Sequence, residues 1–138
     1  MANTTKQLAK QLGTVPIFST LKTKHRMMIA ELGKKVVWAE GKVGVTEGSN
    51  ATAFFLIVDG TVSVTRFGTE VSVLESGDFF GEIAMLSGGK RTATVTATRP
   101  TELFAIGRGA ITPLIKSNSE FSLDLIQAMA QRRANEAI

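Results

Sequence analysis

The chain reads as an α+β protein that is mainly β: an antiparallel jelly-roll barrel or sandwich, with N-terminal helices, a short helix inserted among the strands, and C-terminal helices. Three observations predict this. Apolar residues recur with a helical period over residues 1–34, shift to an alternating period over 35–106, and return to the helical period from 108 onward. The alternating stretches are short, rich in β-branched and aromatic residues, and separated by glycine-containing turn signals. A chain of 138 residues with 43% hydrophobic and 20% charged content suits one globular domain, 1–138, able to bury a core without disulfides.

The elements follow in order. Leu8 and Leu12 are spaced i,i+4, and Gly13 is a natural helix stop. "VPIF" makes a turn, and Thr23 is placed to cap a second helix with Met28, Ile29 and Leu32 on its apolar face, ended by Gly33. Seven segments then read as strands: "KVVWA", "KVGVT", "FFLIV", "TVSVTRF", "EVSVLE", "TATVTAT" and "ELFAI". Among the turn signals between them, Asp59-Gly60 predicts a hairpin, because it joins two apolar strands through a two-residue loop. From Arg108, "AITPLIKSNSE" offers a short helical turn, and Ser119 is placed to cap a longer helix. On that helix Leu123, Ile126 and Ala130 share one face, with Leu125 and Met129 beside it.

Charge and composition narrow the chemistry. The net charge of +4 comes from scattered residues such as Lys22, Lys24, Arg26, Lys34, Lys35, Arg132 and Arg133, with no aromatic interleaving, so a solvated basic surface is expected and direct DNA binding is not. No apolar run approaches the ~20 residues that a membrane helix needs, and the N-terminus lacks the apolar core of a signal peptide, so a cytoplasmic protein without membrane contact is expected. With no Cys and His25 as the single histidine, neither a metal site nor a nucleophile–base pair can be assembled from the usual residues. No metal and no enzymatic activity are therefore expected, and His25 is read as an exposed helix residue. "SGGKRT" misses the phosphate-loop pattern twice, at Ala84 and at Arg91.

The stretch "GDFFGEIAMLSGGKRTATV", residues 77–95, interrupts the strand pattern and sets one acid and one base in an apolar, glycine-jointed segment. Gly77 and Gly81 permit conformations and close approaches that a Cβ resists. "EIAMLS" has the composition of one or two helical turns, whose first N–H groups form an anion site. Arg91 shares the alternating register of Ala93, Val95 and Ala97, which points it to the apolar side, where a guanidinium is costly unless paired. A phosphate held by Arg91 and the helix N-terminus satisfies both. Glu82 would repel a bare phosphate but can accept from a sugar hydroxyl, so a ribose phosphate accounts for both charges; a structural Glu82–Arg91 ion pair is the competing reading.

At these residues the chain resembles the phosphate-binding cassette of cyclic nucleotide-binding domains, and "VPIFSTL", "EGKVGVTEGS" and "FFLIVDGTVSV" are similar to that family's other segments in the same order. The resemblance implies that Gly81, Ile83 and Ala84 offer backbone N–H groups, that Glu82 binds the ribose 2′-hydroxyl, and that Arg91 binds the cyclic phosphate. It further implies that Thr92 reaches the phosphate or base and that Ser72 and Leu74 line the wall. The C-terminal helix would act as a lid or homodimer seam, with Arg132 near the lid contact. The implied ligand is cAMP or cGMP, with cAMP favoured. Lys90 departs from the proline that many members carry there. With the chain ending at Ile138, the implied effector is a protein on a separate chain. The alternative from another class is a nucleotide-independent interaction module.

Overall fold

The computed structural model describes residues 4–15 and 18–136, with the side chains of Thr4, Ile83, Met129 and residues 131–136 outside that description. The described residues form two compact units, one of residues 1–32 with 109–138 and one of Gly33–Arg108.

The strand unit holds β1 (Lys34–Trp38), β2 (Val43–Val45), β3 (Ala53–Asp59), β4 (Thr61–Arg66), β5 (Thr69–Glu75), β6 (Phe79–Phe80), β7 (Thr94–Ala97) and β8 (Thr101–Gly107), with helix α3 (Glu82–Ser87) between β6 and β7. Among the described residues the strands make two antiparallel sheets, ordered β1-β8-β3-β6 and β2-β7-β4-β5. This is the unclosed sandwich of a jelly-roll type, as the alternation and turn spacing predict. Its core gathers Trp38, Val45, Ile57, Val62, Phe80, Val95, Ala97 and Leu103 from both sheets, the inward half of each alternating pattern. Phe55 and Phe80 stack at 5.1 Å, and Trp38 packs 5.4 Å from Phe55.

Asp59-Gly60 is not a hairpin turn. β3 and β4 belong to different sheets, so the dipeptide is a corner where the chain changes layer. The cause is Thr101. Gly60 sits at φ 140° with its Cα against that residue, and an added Cβ would lie 2.3 Å from Thr101 Oγ1. Thr61 N–H donates to Thr101 Oγ1 at 3.3 Å, which turns β4 away from the sheet of β3. The true two-residue hairpin joins β4 to β5 through Phe67 (φ 52°) and Gly68 (φ 80°), both left-handed as a type I′ turn requires. β6 is the strand that the pattern does not announce, two residues paired to β3.

The helical unit holds α1 (Thr4–Leu12), α2 (Thr23–Glu31), α4 (Arg108–Ser117, of which Arg108 itself counts with the strands) and α5 (Ser119–Glu136). Leu8 and Leu12 are buried, and Gly13 N–H closes α1 onto the carbonyls of Ala9 and Lys10. Pro16 and Ile17 of the expected turn lie outside the described residues. Thr23 is not a cap: Lys22 occupies that position with extended φ/ψ and no side-chain bond, and Thr23 is the first helical residue. The buried face of α2 runs through His25, Ile29 and Ala30, whereas Met28 and Leu32 are half-buried.

His25 is therefore not an exposed residue. It is 1% exposed, its Nδ1 donates to Asp124 Oδ2 at 2.6 Å, and its ring meets Phe121 edge-on at 5.4 Å. Asp124 lies one helical face away from the apolar stripe that the sequence suggests, which is why the partner was not legible. α4 runs ten residues rather than a short turn, with Pro113 inside it, because proline removes one helical bond without ending the segment. The cap of α5 is Asn118, whose Oδ1 accepts from Phe121 N–H at 2.9 Å, in place of Ser119. Phe121, Leu125 and Ala128 form the buried stripe of α5, leaving Leu123 at 56% and Ile126 at 61% exposure, with Ala130 also exposed.

Candidate functional site

The candidate site grows from the segment after β6. Gly81 sits at φ 85°, and its missing Cβ would fall 2.3 Å from Arg91 Nη1, so only glycine allows the guanidinium so close to the turn into α3. α3 then offers a first turn of N–H groups that have no acceptor within the helix. Gly88 ends it at φ 74°, in the left-handed conformation of a C-cap.

Arg91 lies just before β7, which starts at Thr94, two residues later than the segment "TATVTAT" places it. Its backbone is held on both sides. The N–H donates to Ser49 carbonyl at 2.7 Å, and its carbonyl accepts from Gly48 N–H at 2.8 Å. Next to it, Ala51 N–H donates to Gly89 carbonyl, and Lys90 Nζ donates to Asn50 Oδ1 at 2.7 Å. Lys90 thus serves the anchoring of the segment.

The Arg91 side chain is 7% exposed. Nη1 donates to Gly81 carbonyl at 3.3 Å, Nη2 donates to Ala53 carbonyl, and the guanidinium carbon stands 5.8 Å from the centre of the Phe55 ring. The two side-chain bonds use two of five N–H donors, so the fork keeps capacity for an anion. Burial pushes the Arg91 pKa down from its usual value, the cost that a partner anion would relieve.

Arg91 lines a cavity of about 290 Å³, close to the ~300 Å³ at which small-ligand sites begin. The cavity brings together Gly81, Ala84, Thr92, Ser72 and Leu74 with Arg91, six positions that the sequence singles out. Glu82 is half-buried in the first turn of α3 and is not part of that lining. The side chains of Ile83 and Arg132 lie outside the described residues.

Seven further residues complete the lining, and two of them, Val71 and Arg66, owe their place to the geometry of β5 and β4. Val71 is the extra residue of a bulge in β5, opposite the step from Val64 to Thr65, which brings it to the cavity beside Ser72. Arg66 continues the inward series Val62, Val64 on β4 and also lines the cavity. The same alternation that placed Arg91 would have placed Arg66.

A family model, the cyclic nucleotide-binding domain, matches residues 35–118, more than half of the chain. The chain belongs to the cyclic nucleotide-binding domain family. A cAMP-dependent protein kinase regulatory subunit of Yarrowia lipolytica is 35% identical over 106 residues, which take in 75% of this chain and 28% of that protein. A cGMP-dependent protein kinase of Caenorhabditis briggsae is 33% identical over 116 residues, 79% of this chain and 16% of its own length. The chain thus spans under a third of the length of these curated relatives. The N-terminal domain of a transcriptional regulator from Streptomyces coelicolor superposes with a TM-score of 0.80 at 27% identity, over 93% of this chain and 96% of that one. The regulatory domain of Toxoplasma gondii PKA with cAMP superposes at 0.73 and 21% identity, over 99% of this chain and 51% of its own, a likeness of fold. The match over 35–118 includes the whole of the segment 77–95 that carries Arg91.

Proposed function

We propose that the protein binds a 3′,5′-cyclic nucleotide in the Arg91 cavity, cyclic AMP in preference to cyclic GMP, and acts as a cytoplasmic sensor for an effector protein without catalysing a reaction. The observation that carries this is the buried guanidinium of Arg91, which lines the cavity with N–H groups to spare beside the first turn of α3. Arg91 and the N–H groups of Gly81, Ile83 and Ala84 would take the phosphate. Thr92 would reach the phosphate or base, and Ser72 and Leu74 would flank the base. Glu82 would accept from the ribose hydroxyl after its side chain turns toward the cavity. The names of the curated relatives support the ligand class and an effector kinase.

Titration calorimetry with cyclic AMP, cyclic GMP and 5′-AMP tests it. Both cyclic ligands bind, 5′-AMP binds more weakly, and Arg91→Ala loses about 100-fold, as expected for removing two charge-assisted hydrogen bonds of ~1.5 kcal/mol each. The exposed Leu123 and Ile126 favour a second reading, an interaction module that associates through α5 and ignores nucleotides. Absence of heat with either cyclic ligand, together with self-association that Leu123→Lys abolishes, would establish that reading instead.

A further inference from the structure

The cavity holds a second arginine at a different depth. Arg91 is buried, whereas Arg66, at the end of β4, is exposed and lines the same cavity from its rim. Arg66 is placed there by the period-2 alternation that turns Val62 and Val64 inward. Its Nε donates to Thr92 carbonyl at 3.0 Å, which ties the guanidinium to the segment that follows Arg91. With Nε engaged, its two terminal amino groups make no hydrogen bond or ion pair with any described residue. They form the outer edge of a rigid planar fork, two parallel donors.

A nucleotide whose phosphate rests on buried Arg91 extends its other end toward the rim. Two parallel donors match two adjacent acceptors. Guanine and hypoxanthine present such a pair, O6 and N7, while adenine sets an amino donor at position 6 beside N7 and meets one prong with like polarity. Resting on the cyclic-nucleotide reading above, we propose that Arg66 is the base-reading residue of this cavity, hydrogen-bonding O6 and N7 of a 6-oxopurine. It is what admits cyclic GMP to a site that otherwise favours cyclic AMP.

The test is calorimetric titration of the full chain and of its Arg66→Ala and Arg66→Lys variants with cyclic GMP, cyclic IMP and cyclic AMP. Both variants weaken cyclic GMP and cyclic IMP by about tenfold or more and leave cyclic AMP within about twofold, since one bidentate pair carries discrimination of that order. Arg66→Lys keeps the charge without the fork, so its agreement with Arg66→Ala assigns the effect to geometry. An equal loss for all three ligands, or full retention by Arg66→Lys, overturns the proposal and makes Arg66 a general anion attractor. No change with any ligand overturns it as well. Failure of the unaltered chain to bind any of the three removes the cyclic-nucleotide reading itself, and this proposal with it.

Discussion

Arg91 shows how much one side chain can ask of its surroundings. A guanidinium at 7% exposure needs acceptors, and the fold supplies the carbonyls of Gly81 and Ala53 and the face of Phe55. Gly81 makes this arrangement possible twice over, by its φ of 85° and by leaving 2.3 Å where a Cβ would strike Arg91 Nη1. Gly81→Ala therefore carries a left-handed backbone cost of ~1–2 kcal/mol and displaces the guanidinium. We expect a lower urea midpoint and a weakened cyclic nucleotide, measured by denaturation and titration; unchanged values in both would show that the segment relaxes freely. The need for a partner at Arg91 was legible from alternation alone. Its identity was not, because Ala53 lies 38 positions earlier, on a strand of the sheet opposite the one that Arg91 leads into.

At the scale of elements, α2 and α5 are clasped by charge. Asp124 accepts from His25 Nδ1 and from Lys22 N–H at 2.9 Å, while Glu120 pairs with Lys22 at 2.9 Å and Lys24 at 2.8 Å. Burial pushes the Asp124 carboxyl up, but the bonds from His25 and Lys22 and their charge outweigh it and hold the pKa below its usual value. Glu120 is drawn down to about 2 by its bonds to Lys24 and Lys22. A carboxylate held low in this way stabilises the fold above its ordinary pKa, and that contribution is lost as the pH falls to the lowered value. Acid loss from Glu120 therefore runs from about pH 4.5 to about 2. Asp124→Ala leaves a buried imidazole and an N–H without their acceptor, a cost of about 1–3 kcal/mol at neutral pH, and thermal melts from pH 6 to 2.5 should then show a shallower acid decline than the unaltered chain. Equal acid slopes would place the lability elsewhere. Helix positions here were legible from the 3.6 period, but Asn118 as cap and His25 as a buried donor were not. Each depends on which turn of one helix faces another.

For the whole molecule, the strand unit carries both the cavity and its own reporter. Trp38, the single tryptophan of the chain, packs against Phe55 and Phe80 within that core. Cyclic nucleotide at 100 times its Kd should stabilise the binding-competent state by ~2.7 kcal/mol and raise the tryptophan-detected midpoint by roughly 10 °C. A midpoint indifferent to ligand at that concentration would contradict binding within this unit. The residue pattern by itself determined the class of fold, most strand positions, and the segment 77–95 with its paired acid and base, because each follows from local periodicity and local backbone chemistry. Only the tertiary structure decided that Gly60 turns a corner between layers, that Arg66 joins Arg91 at one cavity, and that Glu82 stands outside that lining. Those facts depend on residues tens of positions apart, and the contacts between them form only when two sheets pack.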